Sequence, residues 1–154
     1  MKLPHILEPL KGRLVSKPLW YIYEVIEAYG IEVAEIKFPP GQKGVYYKDS
    51  NNRVILISSM LDQYEKRVTA VHELVHALLH ESASILCNFN NTWEGKLERE
   101  AMIYTARLLI PEDKLIDMLR MEYSIYDIAE EFYVTEDLVR LAIEDIRRVT
   151  GVTF

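Results

Sequence analysis

Apolar positions along the chain recur first at a helical spacing, then at every second residue, then at a helical spacing again, and each change of period predicts an element. Ser16, Lys17 and Pro18 form a helix start, and Trp20, Tyr21, Tyr23 and Ile26 continue it until Gly30 offers a left-handed stop. Ile31 to Phe38 alternates as a strand does and ends at Pro39, Pro40 and Gly41. Val45 to Tyr47 and Val54 to Ile57 are further strands with turn chemistry at Asp49 to Asn52 between them, so residues 44–58 read as a hairpin. Asp62 or Ser59 opens a helix that runs to about His80, with Val68, Val71, Val75, Leu78 and Leu79 on its buried side. Residues 81–95 lack helical periodicity and read as a rim or lid loop. Helices follow from Gly95 or Lys96 to Leu109, Pro111 to Arg120, Ser124 to Phe132 and Thr135 to Val149, the last two opened by capping residues. The expected fold class is α+β: a small mixed or antiparallel sheet packed on the helix ending near His80, with further helices behind it.

The length of 154 residues and the 49% hydrophobic content suit a single domain with a real core. Within it, 16–110 reads as the core and 111–154 as C-terminal helices. A net charge of −6 argues against unaided binding to a phosphate backbone or an anionic membrane. Cys87 is the one cysteine, which excludes an internal disulfide framework and reads as a small buried residue of a reducing compartment. Pro4, Pro9, Lys11, Gly12 and Arg13 interrupt any leader-like apolar run, and no stretch is long enough to span a bilayer. The expected location is the cytoplasm.

Chemistry concentrates in RVTAVHELVHALLH, Arg67 to His80, where His72, Glu73 and His76 stand in the order HExxH. On a helix, residues four apart lie one above the other, so the two imidazoles can reach one metal ion. Glu73 is turned about 100° from His72, out of the coordination but within reach of a water at an open metal position. That arrangement suits metal-assisted hydrolysis, the metal lowering the pKa of water and the carboxylate moving the proton. The plain alternative is a pair of hydrogen-bonded, non-ligating histidines.

Catalytic zinc needs a third protein ligand. His80 lies ~12 Å along the axis from His72, too far to share an ion with both other histidines, and reads as a helix-end residue near the last carbonyls. His5 is isolated in a Pro-rich stretch. The acids of KLEREAMIYTARLLIP remain: Glu98 aligns with Ala101, Met102, Thr105 and Leu109, and Glu100 with Ile103, Tyr104 and Arg107. They lie about 200° apart, so only one can face the metal, and either could equally be a solvated surface acid.

VHELVHALLH, followed by EREAMIYTARLLIP, resembles the ImmA/IrrE family of zincin metallopeptidases over roughly residues 54–140. The resemblance implies a zincin-like metallopeptidase fold, Zn2+ held by His72, His76 and Glu98, and Glu73 as general base. It also implies an endopeptidase whose protein substrate is a helix-turn-helix repressor of a phage or mobile element. The competing class is a zinc-bound, non-catalytic module that binds the repressor stoichiometrically. Met102 stands where the family usually has an Asn that helps orient a metal histidine, and a thioether is only a weak acceptor, so another group must do this. Thr105, Asn88 or a backbone carbonyl are candidates. In zincins an extended substrate adds to a sheet edge; Val54 to Ser58 is placed for that pairing, though four consecutive apolar residues equally suit a core strand.

Residues 123–148, YSIYDIAEEFYVTEDLVRLAIEDIRR, look like a helix-turn-helix. Asp127, Glu130, Glu131, Glu136, Asp137, Glu144 and Asp145 outnumber Arg140, Arg147 and Arg148, so the expected role is structural or partner docking, without direct nucleic-acid contact.

Overall fold

Asp49 closes the hairpin, its carboxylate accepting from the backbone N–H groups of Asn51 and Asn52. The computed structural model describes residues 2–81 and 91–153, side chains of 91–94 excepted. On either side of the turn β2 (Gly44–Lys48) and β3 (Arg53–Ser58) pair antiparallel, with Tyr46 opposite Ile55. β1 (Glu32–Ile36) lies parallel to β3 on its other side, Val33 opposite Ile55, so the sheet is mixed with order β1-β3-β2. The expectation that Val54 to Ser58 forms an edge is therefore corrected: both sides of β3 are paired, and its alternate residues Ile55 and Ile57 are fully buried. The edge beside the HExxH helix is β2.

α1 (Leu19–Ala28) starts at Pro18, and Gly30 takes the expected left-handed conformation after it. Ser16 precedes the helix and donates instead to the Glu131 carbonyl. α2 (Gln63–Leu79) is opened by Asp62, not Ser59: the Asp62 side chain accepts from the Glu65 N–H. It packs against β2, β3 and α1 on one side and α3 (Asn91–Leu109) on the other. Because α3 already begins at Asn91, the loop expected over 81–95 is shorter at its far end; residues 82–90, including Cys87 and Asn88, lie outside the described ones.

α4 (Glu112–Arg120), α5 (Ile125–Phe132) and α6 (Glu136–Thr150) follow, with a Ser124–Asp127 capping box before α5 and Thr135 capping α6. Tyr133, left-handed, makes the turn between the last two. These helices are tied to the rest of the chain. Asp145 of α6, almost wholly buried, accepts two bonds from the Arg107 guanidinium of α3, at 2.8 and 2.9 Å. Arg67 of α2, 3% exposed, donates to the main-chain carbonyls of Leu14, Lys17, Phe132 and Tyr133, so one guanidinium joins the N-terminal segment, α2 and the α5–α6 turn. Burial pulls its pKa down to about 10. No helix among the described residues is long and apolar enough to cross a membrane.

Candidate metal centre

Valines and leucines hold α2 between sheet and α3, and this leaves His72 and His76, one turn apart, at the rim of the core. Their Nε2 atoms approach to 3.2 Å. The α2–α3 contact brings Glu98 onto them, with Oε2 at 2.9 Å from His72 Nε2 and Oε1 at 2.8 Å from His76 Nε2. The hydrogen bonds from the two rings hold the Glu98 carboxyl far below the usual carboxylate range. All three donor groups lie within 4.8 Å of one another. A tetrahedral zinc with bonds of ~2.0–2.1 Å sets two nitrogen ligands roughly 3.4 Å apart, close to the observed separation, and a two-His, one-carboxylate set is a zinc donor set. The residues present fit the metal.

Glu73 is buried beside this trio, where α2 meets β2, and lines the same cleft as His72 and Glu98. Burial raises its pKa to about 7, against the opposing pull of His76, and the carboxylate accepts the backbone N–H of Tyr46. Tyr46 thus turns an edge-strand donor away from β3 and onto Glu73. The strand comes this close because position 44 is glycine: a Cβ there would stand 2.6 Å from Thr69 Cγ2 and 3.0 Å from the Leu56 carbonyl. A cleft of ≈ 760 Å³ opens over the site, bordered by Gly41 to Gly44, by His72, Glu73 and Glu98, and by Thr135, Asp137, Leu138 and Leu141 of the α6 region.

Of the two acids weighed on α3, Glu98 meets the histidines and Glu100 does not; Glu100 lies 2.9 Å from His80 Nε2. His80 is not a bystander at the helix end. Its backbone N–H caps the helix onto the His76 carbonyl, while its buried ring lies 3.0 Å from His76 Nδ1. Thr105 is engaged elsewhere, donating to the Ala101 carbonyl of its own helix, and Met102 lines the cleft. His5 is exposed on a short 3-10 helix and is not among the gathered residues. Sequence reasoning missed the Gly44–Tyr46 approach and the His80 contacts; for the latter, the i, i+4 spacing of His76 and His80 was the available signal.

A family model for the IrrE N-terminal-like domain of Peptidase M78 matches residues 26–144. The chain is 31% identical over 121 residues to "uncharacterized immunity region protein 2" of Bacillus phage phi105, covering 77% of each. It is 31% identical over 97 residues to the radiation response metalloprotease IrrE of Deinococcus deserti, 59% of this chain and 34% of that one. It is also 29% identical over 97 residues to the IrrE of Deinococcus radiodurans, 58% of this chain and 29% of that one, so it spans about a third of the length of each IrrE. In fold it resembles a Mycobacterium tuberculosis transcriptional regulator, with a TM-score of 0.63 at 15% identity over 82% of this chain and 40% of that one.

Proposed function

The chain belongs to the IrrE N-terminal-like family, a metallopeptidase family, and on that premise we propose that it is a zinc-dependent endopeptidase whose substrate is a helix-turn-helix repressor. The observation that carries this reading is the meeting of His72, His76 and Glu98 beside a buried Glu73 in an open cleft. His72, His76 and Glu98 hold the metal. Zinc bound there supplies Lewis acidity and lowers the pKa of a water towards ~7. Glu73 takes the proton from the attacking water and returns it to the leaving amine, a role suited to a carboxyl whose own pKa lies near neutrality. An extended substrate segment pairs with the outer edge of β2, between it and the α6 side of the cleft, since β3 has no free edge.

The repressor as substrate draws on the phage immunity-region relative, and on this reading the chain would meet it in the cytoplasm. Met102 favours a second reading, a zinc-bound module that captures the repressor without cutting it, because a thioether orients no imidazole. Incubating purified protein and repressor with zinc separates the two: a new cleavage product supports the peptidase, and a stable complex of intact chains supports the binding module.

A further inference from the structure

We propose that His80 and Glu100 form a hydrogen-bonded relay that fixes the ring of His76 in the tautomer needed for metal binding, an inference that rests on the metal-site reading above. The polarity of the relay follows from its end. Glu100, as a carboxylate, only accepts, so His80 Nε2, 2.9 Å from its Oε1, donates. A neutral imidazole with its proton on Nε2 presents Nδ1 as an acceptor. That atom lies 3.0 Å from His76 Nδ1, which must then carry the proton and donate. When a metal replaces the hydrogen bond that His76 Nε2 gives Glu98 here, the proton on Nδ1 leaves the lone pair on Nε2, the atom that faces Glu98 and His72. The whole chain of bonds points one way, from the metal position outward to an anion, and it raises the basicity of the ligand.

The two nitrogens of His80 are turned in opposite directions, onto His76 and Glu100, so it is a positioning residue and not a fourth ligand. Helix capping does not explain it, since the backbone N–H does the capping and any residue offers that bond. Nor is the relay shared by the other ligand: His72 Nδ1 is buried with no hydrogen-bond partner among the described residues. His76 is thus the pre-set imidazole of the pair.

The test is zinc affinity by chelator competition on the full chain, read independently of cleavage. His80→Ala is expected to weaken zinc binding ~10–100-fold, and Glu100→Ala by less in the same direction. The double variant is expected to be no weaker than His80→Ala, because Glu100 acts through His80. His80→Gln, whose amide can accept from His76 and donate to Glu100, restores binding to within a few fold. On the wild-type chain loaded with zinc, nitrogen NMR is expected to find the His80 proton on Nε2. Wild-type affinity in His80→Ala, additive losses in the double variant, or a His80 proton on Nδ1 would each overturn the relay. His76→Ala is the control: zinc retained there removes the metal-site reading itself, whereas zinc lost there and unaffected in His80→Ala removes only the relay.

Discussion

Glu98 has a side chain half open to solvent, yet its carboxylate is held between two imidazoles, an arrangement that distinguishes it from an ordinary surface acid and suits the ligand role we propose. Glu98→Ala is expected to weaken zinc binding far more than Glu100→Ala, as measured by chelator competition. The acids of the next long helix were the candidates, helical phase allowed only one of Glu98 and Glu100 to face the metal, and the family resemblance pointed to Glu98. Phase offered the His76–His80 spacing, but it could not reveal that Glu100 meets His80, because a contact between helices has no signature in either one's period. Arg67 was likewise unreadable as anything but a helix residue. Its four carbonyl partners come from the N-terminal segment and from the α5–α6 turn, and Arg67→Met removes their shared donor, with the Leu14 carbonyl keeping the Lys17 N–H. The expected loss is about 3 kcal/mol or more in urea unfolding, whereas a loss near zero would mean that water replaces the guanidinium.

Among the elements, β2 carries the most consequence. Hairpin, turn and capping residues were legible because each is a local pattern. Strand order was not, since alternation says which face of a strand is buried and nothing about its neighbours; the apolar run of β3 suits a central strand, and an exposed edge of that kind would invite aggregation. Gly44→Val drives a side chain into Thr69 and the Leu56 carbonyl and so displaces β2 from Glu73. Hydrolysis is expected to fall by ~10²-fold with zinc content unchanged, because the proposed ligands lie on α2 and α3. A parallel loss of zinc would instead point to collapse of the sheet. The α3–α6 tie makes a different expectation. Burial alone would raise the Asp145 carboxyl, but the Arg107 and Arg148 guanidiniums outweigh it and lower its pKa below the ordinary 3.8. The folded carboxyl therefore binds its proton less readily than the unfolded one. Its contribution is intact above that ordinary value and is lost as pH falls through and below it. Urea midpoints measured down the acid range are expected to fall less steeply in Asp145→Asn than in the native chain.

At the scale of the whole molecule, Thr135 and the first turns of α6 border the cleft, and we propose that the acidic C-terminal helices serve the peptidase and form no basic reading surface. Arg140 lies 3.1 Å from Asp137, and Arg148 lies 3.0 Å from Asp145, so carboxylates already meet charges that a phosphate would need. In gel-shift titrations at two salt concentrations, operator DNA is expected to stay unbound by this protein alone; a shift abolished by Arg140→Ala would reassign α6 as a DNA reader. The resemblance to a helix-turn-helix was visible in the chain, but its packing against the metal-site helices was not, because the residues that dock it, Asp145 and the Tyr133 turn, act on partners far away in sequence. The central claim is that Glu73 performs the proton transfer beside a metal it does not bind. Its most direct test measures zinc content and repressor cleavage together in the native chain, His76→Ala and Glu73→Gln. His76→Ala is expected to lose both, and Glu73→Gln to keep its zinc while cleavage drops ~10²–10⁴-fold. Native-rate cleavage by zinc-loaded Glu73→Gln would contradict it.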